Sequence, residues 1–249
     1  MIKMMNSVID RCESTNDLAR QLGESGAPHG SWISTRVQES GRGRLGRVWE
    51  SQLGNLFVSL VARVEDRKLW SWIPLVTAVG VASALRTLNF NVFIKWPNDL
   101  WIDQNKLGGI LCEAVGNSQG SFVVIGVGIN CAHAPQGLDQ ETISLTQASS
   151  QPVSADDVRA QVIEGILVAL DELVKNGIAA LRESYSKLAV FRPGTEITWG
   201  DGLAGKVLGL GESGELKVLD KNGDSLQLFA EDVKVKFKGL PITGDESLP

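Results

Sequence analysis

Apolar, strand-like runs follow one another through the first half of the chain with few helices between them. SWISTRV (31–37) and LFVSLVARV (56–64) come first, and NVFIKW (91–96) ends at Pro97. DLWIDQNKLGGILCEAV (99–115) reads as a hairpin turning around Asp103 to Asn105, and SFVVIGVGIN (121–130) as a buried strand. This order argues for a mixed or antiparallel sheet rather than strict βαβ alternation. Three segments have helical spacing instead. Ser14 and Asp17 stand at capping-box spacing and open a short helix ending near Gly23. Residues 71–88 repeat apolar side chains at Trp72, Leu75, Val76, Val79, Ala82, Leu85 and Leu88, with Pro74 in the first turn, where its missing N–H costs little. Ser154 to Lys175 is capped by Ser154, carries Asp156 and Asp157 in its first turn, and is followed by Gly177. A further helical stretch covers 178–188.

From Arg192-Pro193-Gly194 onward the pattern changes to the short runs TEITW, AGKVLGL, LKVLD, LQLFA and KVKF, separated by GDG, GESG and KNGD. Five short strands in this span predict a small SH3-like β-barrel. The expected organisation is an α+β catalytic domain over 1–190, the barrel over 191–238 and a loose tail over 239–249. A chain of 249 residues suits one large domain or one with a small satellite.

The net charge of −5 makes a poor general nucleic-acid binder, because phosphate neutralisation needs a Lys/Arg surplus. Cys12, Cys112 and Cys131 are odd in number and form no CxxC, so neither a disulfide framework nor a zinc site is indicated. The N-terminus has no apolar signal core, and no run approaches the ~18 apolar residues of a membrane span. A soluble, cytoplasmic protein without a membrane partner is expected.

The segment QESGRGRLGRVWES (38–51) matches the dinucleotide spacing at Gly41, Gly43 and Gly46. That fingerprint needs a helix after it, whereas this segment leads into a strand. The arginines are more informative. Glycines let the backbone bend and approach a ligand, and guanidinium forks suit carboxylates and phosphates. Arg42, Arg44 and Arg47 beside a buried strand therefore make an anion clamp. Three further clusters fall at strand ends: Lys95-Trp96-Pro97-Asn98-Asp99, Lys106-Leu107-Gly108-Gly109-Ile110 and Gly126-Val127-Gly128-Ile129-Asn130. Taken singly, each is equally well explained by a turn or by tight packing. Together they supply cations, one acid and amides, and neither His29 nor His133 lies in a cluster. Such a set fits phosphoryl or nucleotidyl transfer.

In this order, and with Ser14-Thr15-Asn16 and Gln38, the clusters resemble the motifs of the biotin protein ligases over about residues 8–238. The resemblance implies a mixed central β-sheet with helices packed on one side, like the class II aminoacyl-tRNA synthetases, followed by the SH3-like barrel. It implies that biotin and ATP give biotinyl-5′-AMP and pyrophosphate with Mg²⁺, and that a lysine of a biotin carboxyl carrier protein then takes the biotinyl group. Around biotin it places Ser14, Thr15, Asn16, Gln38, Gly41, Arg42, Gly43, Arg44, Lys106, Gly109 and Gly128. On ATP and the adenylate it places Arg42, Arg44, Arg47, Trp49, Lys95, Asn98, Lys106 and Asn130. Lys106, Arg42 and Arg44 carry the chemistry, with Asp99 organising the acceptor lysine or serving as its base; no protein side chain is assigned to a metal.

The physics of the implied reaction agrees. A carboxylate and a triphosphate repel strongly at contact, and fixed cations offset that repulsion. Leu45 stands where some members carry another arginine. About thirteen residues precede the motifs, too few for the helix-turn-helix domain of members that double as repressors, so DNA binding is not expected. A homodimer is a family possibility that the residues do not display. The alternatives are a lipoate or octanoate protein ligase of the same catalytic fold, and a non-catalytic biotin sensor.

Overall fold

The computed structural model describes residues 6–117, 120–138, 140–229 and 233–235; the expected tail at 239–249 lies outside them. The strands are β1 (Asn6–Cys12), β2 (Trp32–Gln38), β3 (Leu56–Ala62), β4 (Val92–Lys95), β5 (Asp99–Ile102), β6 (Asn105–Asn117) and β7 (Gly120–Ile129). They form one sheet in the order β1-β2-β3-β7-β6-β5-β4. Within it β1 and β2 are parallel and the other neighbours antiparallel, so the sheet is mixed. The β5–β6 hairpin turns at Asp103, which takes a left-handed φ of 52°.

Strand β3 is central and buried on both faces. Its Leu56, Val58, Leu60 and Ala62 pack with the two long helices, α2 (Ile73–Thr87) and α4 (Ala155–Leu188). Its Val61 points the other way, into a smaller cluster with Ala19, Ile33, Phe122 and Val124 beneath α1 (Thr15–Glu24). The helix layer on one side is thus α2 with α4, while α1 covers part of the opposite face. A two-residue period turns successive side chains to opposite faces, so each face of β3 acquires its own helix.

Helix α2 is apolar and buried over most of its surface, with Ser83, Arg86 and Thr87 exposed, because it lies between the sheet and α4. With the turn before it, Arg67–Thr87, it forms 21 helical residues long and apolar enough to cross a membrane, contrary to the sequence expectation, and most of them are buried in this core. Its crossing with α4 is close: a Cβ on Gly165 would lie 2.5 Å from the Gly80 carbonyl oxygen. Helix α4 breaks at Gly177, whose φ of 76° is non-helical, so the expected stretches before and after this residue meet end to end. Asp157 accepts the Ser154 N–H and hydroxyl at 2.7 Å each, closing its N-terminus. At α1 the expected capping box is not made. Ser14 forms no side-chain cap, and the Asp17 carboxylate is turned to Arg42.

A short helix, α3 (Leu145–Ser149), precedes α4, and five strands follow it: β8 (Glu196–Trp199), β9 (Leu203–Leu210), β10 (Leu216–Asp220), β11 (Ser225–Leu228) and β12 (Val233–Val235). They pair antiparallel in the order β11-β10-β9-β8-β12, a sheet consistent with an SH3-like domain. Among the described residues no β11–β12 pairing closes it into a barrel. The β9–β10 turn is keyed into the large domain. Trp96 Nε1 donates to the Gly214 carbonyl at 2.9 Å, and Arg182 of α4 donates to the carbonyls of Leu210 and Gly211.

Candidate active site

A cavity of about 800 Å³ opens over β3, β7, β6 and β5 and is bounded by the start of α1 and the 42–50 segment. The residues singled out in sequence converge on it from separate elements. Ser14, Thr15, Asn16 and Gln38 stand at one end, and Arg42, Gly43, Arg44, Arg47 and Trp49 cross above. Lys95, Asn98, Asp99, Lys106, Gly109, Gly128 and Asn130 line the remainder. Gly41 alone of the set does not line it. This glycine is buried under the crossing segment, where a Cβ would lie 2.5 Å from the Trp49 carbonyl oxygen. Its lack of a side chain lets the returning chain approach closely enough for Trp49 N–H to donate to its carbonyl at 2.9 Å.

One end of the cavity is a buried hydrogen-bond network. Thr15 donates to Gln38 Oε1 through its N–H at 2.9 Å and its hydroxyl at 3.1 Å. The Ser59 hydroxyl on β3 lies 2.7 Å from both Thr15 Oγ1 and Asn16 Oδ1. Asn16 Nδ2 donates to Glu113 Oε2 at 2.6 Å. Gly126 makes room for this asparagine, since a Cβ there would collide with Asn16 Oδ1. These side chains are held in fixed orientations, as recognition of a small polar ring requires.

The floor is flat because Gly109 and Gly128, opposite each other on β6 and β7, have no side chains. The Trp49 indole lies over them, 2.7 Å from a Cβ built on Gly128 and 3.3 Å from one on Gly109. Lys106 Nζ sits 5.7 Å from the centre of that indole and 2.8 Å from Asp99 Oδ1. Arg44 donates to Asn98 Oδ1 at 3.0 Å, and Asn98 donates to the Ile110 carbonyl at 2.7 Å. Arg42 donates to both carboxylate oxygens of Asp17, at 2.8 and 2.6 Å. That bonding holds the Asp17 carboxyl below its ordinary range and raises the Arg42 guanidinium. Asn130 is a structural member of the wall: its Nδ2 donates to the Ile143 carbonyl at 3.2 Å and its N–H to the Leu107 carbonyl at 2.9 Å.

Several residues absent from the sequence reading belong here. Ser59 and Glu113 are single polar residues inside apolar strand runs, a signal visible in the sequence. Pro135, Leu138, Gln140 and Thr142 border the cavity from the loop after β7. Val233 and Lys234 reach it from β12, so the C-terminal sheet contributes to the wall. The arrangement offers amides and hydroxyls at one end, a flat apolar floor, and cations towards the middle and far end. A ligand with a small polar head, an apolar stem and an anionic terminus fits this sequence of surfaces.

Residues 8–130 match the family described as Biotin/lipoate A/B protein ligase. A bifunctional ligase/repressor BirA of Bacillus subtilis is 30% identical over 237 residues, covering 91% of this chain and 72% of the relative. A biotin–[acetyl-CoA-carboxylase] ligase of Mycobacterium tuberculosis is 28% identical over 240 residues, covering 91% of this chain and 87% of that protein. Among solved structures, the biotin protein ligase from Aquifex aeolicus in complex with biotin and ATP aligns with a TM-score of 0.78 at 24% identity, over 94% of this chain and 100% of that one.

Proposed function

The chain belongs to the biotin protein ligase family, and from that premise we propose how its cavity joins biotin to a carrier lysine at the expense of ATP. It is an ATP-dependent biotin ligase whose acceptor is a biotin carrier protein. In the first step the biotin carboxylate attacks the α-phosphorus of ATP, forming biotinyl-5′-AMP and releasing pyrophosphate. In the second, the carrier lysine amine attacks the mixed anhydride carbonyl, forming an amide and releasing AMP and a proton.

The observation that carries this reading is the Lys106–Asp99 pair, at 2.8 Å, set between the polar network at Thr15 and Asn16 and the arginines of the crossing segment. Thr15, Asn16 and Gln38 hold the biotin head. Gly109 and Gly128 leave space for its stem. Lys106 and Arg44 stabilise the charge that builds between carboxylate and α-phosphate. Trp49, Arg47, Lys95 and Asn98 lie on the nucleotide side. Asp99, anchored by Lys106, orients the incoming lysine and accepts its proton. The crossing segment excludes water from the anhydride until the carrier arrives.

Mg²⁺ bound to the triphosphate would offset part of its negative charge. Among the described residues no group of three or more His, Cys, Asp or Glu side chains is placed to hold a metal. A Mg²⁺ ion would be carried chiefly by the substrate phosphates, since the two acidic side chains lining the cavity among the described residues are Glu50 and Asp99, and Asp99 is already paired with Lys106.

The test mixes the chain with ATP, Mg²⁺, a carrier domain, and biotin, octanoate or lipoate, and follows the carrier by intact mass. An ATP-dependent gain of one biotinyl group, largely lost in Lys106→Ala, supports the reading. Labelling only with octanoate or lipoate on their own carrier overturns it.

A further inference from the structure

Arg42 and Arg44 leave the same segment two residues apart and end on opposite walls of the cavity. Arg42 reaches α1, where its two terminal nitrogens bond both oxygens of Asp17. Arg44 reaches Asn98, in the turn before β5. Between them, Gly43 N–H donates to the Arg47 carbonyl at 2.7 Å, and Arg42 pairs with Val48 as an isolated antiparallel bridge. The segment is therefore a strap tied on both sides and folded back on itself.

Asp17 suits the anchoring end. It lies in the first turn of a ten-residue helix, where a negative charge is favoured, one residue beyond Asn16 and two beyond Thr15. The same helical turn thus faces the cavity with its amide and hydroxyl and grips the strap with its carboxylate. A bidentate guanidinium–carboxylate pair fixes orientation as well as distance. Glu113, the other acid acting on Arg42, is already bonded to Asn16 at 2.6 Å and paired with Arg20 at 3.6 Å.

Arg42 has committed the paired edge of its fork to Asp17. This geometry makes it an anchor, whereas the sequence had placed it among the groups touching the reacting anions. Resting on the ligase reading above, we propose that Asp17 is a positioning residue of this enzyme, acting through Arg42 to hold the strap across the cavity before substrates arrive. Side chains 39% and 42% exposed contribute little to global stability. The strap contains three glycines between 41 and 46, and ordering it costs backbone entropy that would otherwise oppose substrate binding. The effect of the pair therefore falls on substrate affinity and on strap order more than on the fold.

The experiment compares the full chain with Asp17→Asn and Asp17→Glu. Three quantities are read: tryptic cleavage after Arg42, Arg44 and Arg47 without substrates, KM for biotin and ATP against kcat, and the melting midpoint. Asp17→Asn is expected to speed cleavage and raise both KM values about threefold to fivefold, with kcat within about twofold. Its midpoint should stay within about 3 °C of the parent. Asp17→Glu, which keeps the charge, should recover at least half of the lost affinity and protection. Lower KM values in Asp17→Asn would make Asp17 a competitor displaced by substrate and overturn the proposal. Unchanged cleavage and KM, or a loss confined to kcat, would overturn it as well. A parent chain that never labels a carrier would defeat the ligase reading instead, and the cleavage rates would still judge the strap.

Discussion

Lys106 Nζ lies 2.8 Å from Asp99 Oδ1, and the two side chains are only 24% and 15% exposed. They come from adjacent strands, Asp99 at the start of β5 and Lys106 near the start of β6. The two opposite charges offset one another in a shielded wall, and removing either leaves an uncompensated charge there. The two roles separate experimentally. Lys106→Ala should reduce biotin-dependent pyrophosphate release by about 10²–10³, the scale of losing one preorganised charge-stabilising donor. Asp99→Asn should reduce carrier labelling from preformed biotinyl-5′-AMP more than it reduces pyrophosphate release. Equal losses in both half-reactions would place Asp99 behind Lys106 rather than on the acceptor lysine.

Much of the site was legible because its parts are local strings: three glycines with three arginines, Trp-Pro-Asn-Asp after a strand, paired glycines in β6 and β7. Their convergence was not local. Ser59 is a lone hydroxyl in LFVSLVARV, and its contact with Thr15 and Asn16 exists only once α1 lies across β3. The same strand is apolar on both faces, so its sequence could not assign α1 to one side and α2 with α4 to the other. Strand β1 went unread for the opposite reason. NSVIDRC is an edge strand exposed or half-exposed at every position, and no apolar alternation marks it. Lys234 sits in an ordinary alternating run, and only the docking of the C-terminal sheet brings it to the cavity.

Gly126→Ala should damage biotin binding selectively. The added methyl collides with Asn16 Oδ1, and Asn16 cannot move without leaving Ser59 and Glu113. The expected cost is about 1–3 kcal/mol in urea unfolding. KM for biotin should rise about tenfold or more, since a displacement of this size misplaces the ring-binding groups. Gly116→Ala on the same hairpin is the control, because the nearest atom to its Cβ would be Ser121 Oγ at 3.5 Å. If both variants bind biotin alike, the position of Asn16 is not what recognises the head group.

Trp96→Phe tests the join between the two sheets. The indole is 2% exposed and donates to Gly214, so phenylalanine removes the donor and leaves a buried carbonyl unpaired. About 2–3 kcal/mol of stability should be lost, combining the unmet acceptor with the smaller ring. Because Trp96 precedes Pro97, Asn98 and Asp99, carrier labelling should fall as well. Trp70→Phe removes a comparable bond, to the Val64 carbonyl at 2.9 Å, at a place that does not line the cavity. Labelling by that variant should stay at the parental rate.

The Asp17–Arg42 bond also sets a pH dependence whose sign follows from its cause. The side-chain bond to Arg42 holds the Asp17 carboxyl below its ordinary value in the folded chain. A depressed folded value means the bond contributes fully above the unfolded value, and the contribution is lost as pH falls through the folded one, between about pH 5 and pH 2. With both side chains about two-fifths exposed, the contribution is at most about 1 kcal/mol. The measurement is the difference in melting midpoint between the parent and Asp17→Asn from pH 6 to pH 2.5. Other carboxylates titrate in both proteins and largely cancel. The difference should be greatest at pH 6, shrink on acidification, and shrink at pH 6 when salt is raised to about 1 M. A difference that stays constant across pH and salt would mean that asparagine acts at this position through shape, and that the charge on Asp17 is not what ties Arg42 to α1.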